Sequence, residues 1–316
     1  MEKMEATRDA YGKILLKLGE MDERIVVLDA DLSSSTKTGV FAKKFPHRFF
    51  NMGVAEQNLM GTAAGLSAVG KIPFVSTFAI FASGRAWEPV RQSIAYSKFN
   101  VKIVATHGGI TVGEDGASHQ ALEDVALMRA IPGMIVIIPA DSVETEKAID
   151  AVYRYEGPVY MRLSRAKFPV IFDENYNFKI GKGMVLMEGR DVAILSAGLM
   201  VANSMAACEI LKRENISAAV VNISTIKPID VELIKNVAAG TGAVVTCEEH
   251  SIIGGLGSAV AEVLAEEVNV PLVRVGVRDR FGLSGTAEDL IRYFHFSPED
   301  IADAAREAIK KKNARK

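Results

Sequence analysis

Short apolar runs alternate with amphipathic stretches along the whole of this sequence. Runs at residues 25–28, 72–76 and 101–106 have the length of strands, and a helix-like pattern follows each of them. This alternation is typical of βαβ units, in which a helix carries the chain back to begin the next parallel strand. At roughly 100–200 residues per domain, a chain of 316 residues has room for about two domains. The sequence therefore predicts an α/β fold with two three-layer domains built on parallel sheets.

A loosely patterned segment divides the chain. Between residues 166 and 189, prolines, asparagines and glycines interrupt the alternation, which is typical of a linker between domains. We expect one domain at residues 1–178 and a second, smaller one at residues 179–316. The last helix of the second domain is expected to begin at Ser297, with Pro298 in its first turn and Asp300 three residues after the cap.

Charge and cysteine content argue against several classes of protein. With 37 Lys+Arg against 39 Asp+Glu, the net charge is −2, which does not suit a general nucleic-acid or anionic membrane surface. The apolar runs are far shorter than the ~18 residues of a membrane-spanning helix. Cys208 and Cys247 lie far apart in the sequence and are expected to be reduced and buried. The charged N-terminal residues carry no export signal, so we expect a cytoplasmic protein.

Two helices carry features that call for a partner. Arg8 lies on the same predicted stripe as Met4, Tyr11, Leu15 and Leu18. Such an arginine either binds an anion or packs its stem while its head reaches water, and the pattern leaves both open. The helix predicted at residues 54–69 is rich in small residues, so we expect another element to pack closely against its backbone.

Polar side chains follow several of the predicted strands. Asp31, His107 and Arg165 come just after three of them, and the glycine-rich loop at 108–119 adds Asp115 and His119. Ligands of open parallel sheets bind at the carboxyl ends of the strands, so this grouping predicts a functional site for a polar substrate. The two histidines lack a helical spacing and no third strong ligand is evident, so no protein-held metal is expected.

Gly-Gly-Leu-Gly at residues 254–257 superficially resembles a dinucleotide loop. Val260 replaces the third glycine of that fingerprint, and several residues separate the segment from the preceding strand. We therefore expect a tight helix turn or a subunit contact at this place.

Glu56 and two phenylalanines suggest an apolar pocket with an acid beside it. An acid in the first turn of a helix is ordinarily just a favourable partner of the helix dipole. Phe78 and Phe81, three residues apart after the next strand, add an apolar wall near the carboxylate. This combination calls for a functional explanation.

Seven stretches of the chain resemble the C-terminal half of transketolase, a thiamine-diphosphate enzyme, and the likeness covers essentially the whole sequence. They are ADLSSST, NMGVAEQN, PFVSTFAIF, GEDGASHQ, IPGMIVIIPAD, MRLSR and EEHSIIGGLGS. The resemblance implies a pyrimidine-binding domain up to about residue 178, followed by a transketolase C-terminal domain.

The resemblance also implies roles for the candidate residues. Glu56 would be catalytic, hydrogen-bonding N1′ of the aminopyrimidine, while Phe78 and Phe81 stack on this ring and Asp31 and Leu32 lie near it. Six residues would handle the substrate. His107, Asp115 and His119 would bond the sugar hydroxyls, with the two histidines shuttling protons, whereas the phosphate would be bound by Arg8, Ser35 and Arg165.

One departure from the family bears on the assembly. Full-length relatives hold the diphosphate and Mg²⁺ with a Gly-Asp-Gly motif and an asparagine in an earlier domain, and this sequence has no such segment. We expect the second subunit of a split transketolase, sharing thiamine diphosphate with an N-terminal subunit that holds Mg²⁺. The pair would form an α2β2 heterotetramer, with this chain self-associating as a dimer. It would transfer a two-carbon ketol group between sugar phosphates, as in the pentose phosphate pathway.

Other interpretations stay open. Deoxyxylulose-phosphate synthase resembles the chain at residues 115–119 and 85–87, and the β subunit of 2-oxoacid dehydrogenases has a similar length and is likewise split. A non-catalytic α/β regulatory or binding subunit belongs to a different class. The Gly-Glu-Asp-Gly loop and His107 favour transketolase over the two relatives. The acid beside an apolar wall argues against the non-catalytic alternative, since a scaffold alone would not require it.

Overall fold

The computed structural model describes residues 3–315, which form two α/β domains. In the first, the strands are β1 (Met4–Glu5), β2 (Ile25–Asp29), β3 (Phe49–Asn51), β4 (Ile72–Ser76), β5 (Lys102–Ala105), β6 (Ile135–Ile137), β7 (Val159–Arg162) and β8 (Phe168–Pro169). The α-helices are α1 (Thr7–Met21), α2 (Ser33–Thr36), α3 (Gly39–Lys44), α4 (Glu56–Ala68), α5 (Ala79–Ser83), α6 (Trp87–Pro89), α7 (Asp124–Arg129) and α8 (Ser142–Arg154). Short 3₁₀ or π turns span Pro46–Arg48, Val90–Ala95 and Ile110–Asp115.

The second domain follows the same alternation. Its strands are β9 (Met184–Met187), β10 (Val192–Ser196), β11 (Ala218–Asn222), β12 (Thr225–Lys227), β13 (Val244–Ser251) and β14 (Leu272–Val277). Its helices are α9 (Met200–Arg213), α10 (Val231–Thr241), α11 (Leu256–Glu267), α12 (Ala287–Tyr293) and α13 (Pro298–Asn313). The capping box predicted for the last helix is confirmed, because the Ser297 side chain accepts from the backbone of Asp300 and the Asp300 side chain from that of Ser297.

Two large sheets organise most of these elements, and β1 and β8 form a separate two-stranded sheet. The first has the strand order β12-β6-β7-β5-β4-β2-β3, and the second has the order β14-β13-β10-β11-β9. Neighbouring strands are parallel except for β12 and β9, which are antiparallel edge strands. Every residue of β2, β4 and β10 is buried, as expected of parallel strands covered by helices on both faces. The predicted α/β class is therefore confirmed.

The segment that the sequence marks as a linker is partly ordered into strands. β8 pairs with β1, and β9 forms an edge of the second sheet. A short edge strand tolerates Pro169, which has no backbone N–H to donate. β12 is a further strand that the apolar pattern does not predict, because it is only three residues long. It comes from the second half of the chain but pairs with β6 of the first sheet, so the two domains share this edge. The boundary between residues 178 and 179 stays a prediction.

Two helix predictions need correction: the first helix begins later than expected, and a later one is divided. Met4 was expected on the stripe of the first helix, but it lies in β1 and is exposed. Tyr11, Leu15 and Leu18 are buried as predicted. The helix-like pattern that follows the run at residues 72–76 is divided into α5, a short α6 and a π turn at Val90–Ala95.

Both cysteines and a large apolar cluster lie in the interior of the protein. Cys208 and Cys247 are free and buried, as predicted. Within residues 3–315, no helix is both long enough and apolar enough to cross a membrane. One apolar cluster includes Leu28 of the first sheet, Leu195 of the second and Ile226 of β12, so the interior is continuous between the domains.

The glycines of α4 do not have the close neighbour that the sequence analysis expected. Gly61 and Gly65 are exposed, and a methyl group at either position would meet nothing within 4 Å. Close packing instead occurs in α1, where a methyl group at Gly19 would lie 2.5 Å from Cε2 of Phe41.

This contrast makes a stability prediction. Alanine at Gly61 or Gly65 should raise the free energy of unfolding by about 0.5–1 kcal/mol, because alanine loses less backbone entropy in a helix and meets no clash. Gly19→Ala is the matched control and should lower it, because Phe41 blocks the added methyl group. Urea unfolding of the full chain measures all three. A loss of stability at Gly61 or a gain at Gly19 would contradict this account of helix packing.

Candidate active site

The site lies at the carboxyl edge of the first sheet. β7, β5, β4 and β2 are adjacent and parallel, so the residues that follow them come together at one edge. The segments after these four strands contain, in the same order, the predicted residues Arg165, His107, Phe78 and Asp31. The structure thus brings together functional side chains from four separate parts of the sequence.

Aromatic rings form one wall of the site. The Phe78 ring stacks on the His107 ring with 3.7 Å between centroids, and the Phe81 centroid lies 5.8 Å from that of Phe78. His119 meets Phe81 edge-on at 5.5 Å. Phe78 caps α5, so this short helix fixes both phenylalanines against the loop that carries the histidines. The apolar wall expected from the sequence is present, and both predicted histidines adjoin it.

Glu56 is buried beside this wall, with 5% of its surface exposed. Its Oε1 atom accepts a hydrogen bond from Nη1 of Arg85 at 2.9 Å, and the Arg85 guanidinium lies over the Phe81 ring, 4.3 Å from its centroid. A planar, nitrogen-bearing group therefore already sits between the carboxylate and the aromatic face. The carboxylate and the Phe81 face thus bind one flat cation of the chain itself, by a hydrogen bond to Glu56 and by stacking on the ring.

The hydrogen bonds of His107 define its tautomer. Its Nε2 atom lies 3.3 Å from Nη1 of Arg8, and its Nδ1 atom lies 2.8 Å from Oγ1 of Thr106. Because a guanidinium can only donate, Nε2 must accept, so the proton of the neutral ring is on Nδ1 and points to Thr106. The backbone of His107 has a φ of 60°, a conformation that costs roughly 1–3 kcal/mol in non-glycine residues and is concentrated at functional sites.

His107 is held in its neutral form. Burial lowers its pKa to about 3, and the positive charges of Arg8 and Arg165 act in the same direction. The side chain is only 2% exposed. At neutral pH the ring therefore offers one acceptor and one donor rather than a positive charge.

Cationic side chains surround the other end of the site. Arg8 donates from Nη1 to the backbone oxygen of Ser35 at 3.0 Å, while its buried Nε atom has no hydrogen-bond partner among the described residues. Burial and the nearby Arg165 lower the pKa of Arg8. Arg165 lies 3.5 Å from Asp115 and 3.4 Å from Glu114. The two guanidinium groups suit an anionic ligand, and Arg165 already lies beside two carboxylates of the chain.

Two predicted cofactor residues are placed less directly. Asp31 is exposed and accepts from Nδ2 of Asn51 at 2.9 Å, and the backbone of Leu32 donates to the buried Asp29 at 2.6 Å. Their contacts hold the turn between β2 and α2. The roles of Asp31 and Leu32 toward a cofactor stay predictions, as does that of the Ser35 hydroxyl, since the structure uses the Ser35 carbonyl.

The described residues contain no group of three or more metal-ligating side chains. The glycine-rich turn at residues 254–257 is also accounted for by the chain itself. Glu248 accepts hydrogen bonds from the backbone of Leu256 at 2.7 Å and of Gly257 at 2.8 Å. A carboxylate therefore already satisfies the positive end of α11, where a phosphate would bind in a dinucleotide site.

Sequence reasoning missed several residues that support the site. Arg85 is the most direct, and its one signal was its place four residues after Phe81. Thr106, which orients His107, precedes it in the same strand ending, where a hydroxyl is a common partner of an imidazole. Glu249 reaches the site's loop from the second domain, and nothing local in the sequence indicates that contact.

The neutral state of His107 predicts a pH dependence of stability. Unfolded histidine has a pKa near 6.5, so between pH 6.5 and about 3 the unfolded chain binds more protons than the folded one. The stability contributed by this burial is fully present above pH 6.5 and is lost as the pH falls. Relative to His107→Asn, the wild-type chain should lose about 1 kcal/mol of unfolding free energy between pH 7 and pH 5.5.

Urea unfolding at the two pH values measures this difference. The exposed His47 provides a second histidine replacement, His47→Asn, measured in the same way. Parallel pH profiles for the wild type and His107→Asn would show that His107 is not kept neutral by its surroundings.

Comparisons with known proteins identify the family to which both parts of the chain are similar. Residues 3–170 match the family described as transketolase, pyrimidine binding domain, and residues 181–301 match transketolase, C-terminal domain. A transketolase C-terminal section from Methanocaldococcus jannaschii is 54% identical over 307 residues, covering 96% of each chain. A 6-deoxy-6-sulfo-D-fructose transketolase subunit from a Clostridium species is 46% identical, covering 98% of this chain and 96% of the relative.

A solved structure shows the same fold. A split-gene transketolase, described as an inactive β4 tetramer, superposes with a TM-score of 0.91 at 55% identity and covers 97% of this chain and 99% of its own. The matches extend over both domains and are collinear with them. The chain belongs to the transketolase family, of which it carries the pyrimidine-binding domain and the C-terminal domain.

Proposed function

We propose that this chain is the C-terminal subunit of a split transketolase and that, together with an N-terminal subunit, it transfers a two-carbon ketol group from a ketose phosphate to an aldose phosphate. The observation that carries this proposal is the series of contacts that joins Glu56, the Phe81 face and His107. Glu56 and Phe81 already hold the planar Arg85 guanidinium between them, and His107 stacks on the adjoining Phe78 ring.

Thiamine diphosphate suits this pocket. When bound, it supplies the electron sink for breaking and forming the bond next to a carbonyl, a task that side chains perform poorly. Glu56 would hold a hydrogen bond at N1′ of the aminopyrimidine, and Phe81 would stack on the ring. Arg85 would have to leave the ring face, which its 55% exposed side chain allows.

His107 and His119 would act on the sugar. Neutral His107 can hydrogen-bond a hydroxyl or a carbonyl without adding charge, and His119, half-buried against Phe81, faces the same pocket. Positioned groups of this kind typically contribute about 10²–10⁴-fold to a proton transfer. Asp115 would accept from a sugar hydroxyl at the end of the loop.

Arg8 and Arg165 would bind the anionic end of the substrate. Arg8 has an unused donor, and the positive potential of both arginines is evident in its effect on His107. A Clostridium relative is named for a sulfonated sugar, and a sulfonate is an anion of similar shape to a phosphate. We therefore assign the site to anionic ketoses and aldoses, with xylulose 5-phosphate and ribose 5-phosphate as the first pair to test.

A second subunit would complete the cofactor site. The relatives that align over almost their whole length are named a C-terminal section and a subunit, and a solved structure is described as an inactive β4 tetramer. These names support a partner that holds the diphosphate and Mg²⁺, and an α2β2 assembly in which this chain also contacts its own copy. The free, buried Cys208 and Cys247 suit a reducing cytoplasm.

The decisive experiment mixes this chain with a candidate partner that carries the Gly-Asp-Gly motif, in the presence of thiamine diphosphate and Mg²⁺. Ketol transfer from xylulose 5-phosphate to ribose 5-phosphate should occur in the mixture, while neither chain alone turns over and pyruvate is not decarboxylated. Full activity of this chain alone would contradict the split assignment. Pyruvate decarboxylation without ketol transfer would contradict the reaction.

Glu56→Gln tests the assigned chemistry in that mixture. The amide cannot exchange a proton with N1′, so turnover should fall by at least about 100-fold. Glu88→Gln is a matched control, since Glu88 is exposed on the neighbouring α6, and it should retain wild-type turnover. Near-normal activity of the Glu56 variant would remove Glu56 from this role.

A further inference from the structure

The second domain makes contacts with the loop that carries the substrate residues. This loop, residues 107–121, begins at His107, contains Asp115 and ends just after His119. The two ends of the loop meet at what we call its neck, where the backbone N–H of Gly109 donates to the carbonyl of Ala121 at 3.0 Å. A loop held only at its neck would leave the residues between free to move.

Glu249 of β13 reaches across the domain boundary to this loop. Its Oε1 atom accepts from the backbone N–H of Thr111 at 2.6 Å, and a methyl group at Gly109 would lie 2.2 Å from the Glu249 carboxyl carbon. The loop backbone is therefore pressed directly against the carboxylate. Glu249 is only 6% exposed, so this bond is shielded from competing water.

Arg162, at the end of β7, contacts both the loop and β13. Its Nη2 atom donates to the carbonyl of Glu249 at 2.8 Å and to that of Ala121 at 2.9 Å, while its Nε atom lies 3.3 Å from the buried Asp124. The guanidinium thus holds the backbone of β13 beside the neck of the loop. This arrangement keeps the Glu249 side chain aimed at Thr111.

A second contact lies near the other end of the loop. Gln120 donates from Nε2 to the carbonyl of Leu283 at 2.8 Å, and a methyl group at Gly116 would lie 2.3 Å from Oγ of Ser284. Leu283 and Ser284 belong to the segment between β14 and α12 of the second domain. The second domain therefore holds the loop both at Thr111 and near Asp115.

We propose that Glu249 is a positioning residue for the reaction, through which the second domain fixes the loop that presents His107, Asp115 and His119 to the sugar. This inference rests on the proposed function for its kinetic consequence, whereas the loop contact itself does not. Glu249 touches neither Glu56 nor the phenylalanines in the described contacts. Its effect should therefore fall on the sugar and not on the cofactor.

Glu248 provides a matched control one residue away. It is equally buried in the same strand, but its carboxylate accepts from Leu256 and Gly257 of α11 instead of from the loop. Glu249→Ala should accelerate amide hydrogen exchange at residues 110–116 by roughly tenfold or more, while Glu248→Ala should do so at residues 256–258. Exchange in the full chain requires no partner subunit and no activity.

Kinetics in the assembled enzyme give the second measurement. Because small misplacements of positioning groups can cost about 100-fold, Glu249→Ala should lower kcat/KM for the sugars by roughly this factor, with thiamine diphosphate affinity unchanged. Glu249→Gln should recover part of it, because its amide oxygen can still accept from Thr111. Glu248→Ala should leave kcat/KM per folded molecule near the wild-type value.

The outcomes separate this inference from the proposed function. Wild-type exchange at residues 110–116 in Glu249→Ala would overturn the loop contact, and faster exchange with unchanged sugar kinetics would overturn the positioning role. If the wild-type assembly shows no ketol transfer, the proposed function fails, and the exchange experiment alone decides whether Glu249 holds the loop. Glu249→Gln keeps the test valid should the alanine variant fail to fold.

Discussion

The buried guanidinium of Arg162 holds together the parts on which the site depends. It ends the central strand β7, pairs with Asp124 of α7, and donates to carbonyls of the loop at residues 107–121 and of β13 in the second domain. Tyr160, two residues earlier, donates to the same Asp124 carboxylate at 2.6 Å. Removing one member of such a buried pair typically costs about 3–5 kcal/mol. A chain that kept both domains but lost this cation would therefore lose the alignment of the loop with the sheet.

The two ends of the site differ in charge. At one end the aromatic wall and Glu56 form an apolar recess with a single carboxylate, which matches a flat heterocycle. At the other end burial lowers the pKa of His107, and the charges of Arg8 and Arg165 act in the same direction, so the ring is neutral. The histidines lie between the two ends, where a sugar joined to the heterocycle at one side and carrying an anion at the other would place its hydroxyls.

Sequence patterns predict the central elements because their burial is uniform. The strands β2, β4, β5 and β7 are buried throughout and mostly apolar, and the residues that follow them could be assigned to one sheet edge. Shorter or polar elements escape this reasoning: β12 has three residues and joins a sheet formed by a distant part of the chain. The contacts of Glu56 with Arg85 and of Thr111 with Glu249 join residues 29 and 138 positions apart. Such contacts depend on tertiary packing, and no local periodicity encodes them.

We propose that Glu56, the Phe81 face and the loop from His107 to His119 form one cofactor and substrate site, completed by a second subunit. A crystal structure of the assembled subunits with thiamine diphosphate and a sugar phosphate tests it most directly. We expect the aminopyrimidine to stack on Phe81 with N1′ within hydrogen-bonding distance of Glu56. Arg85 should be displaced from the ring face, and the phosphate should lie near Arg8 and Arg165. Density for the pyrimidine elsewhere, with Arg85 still bound to Glu56, would contradict it.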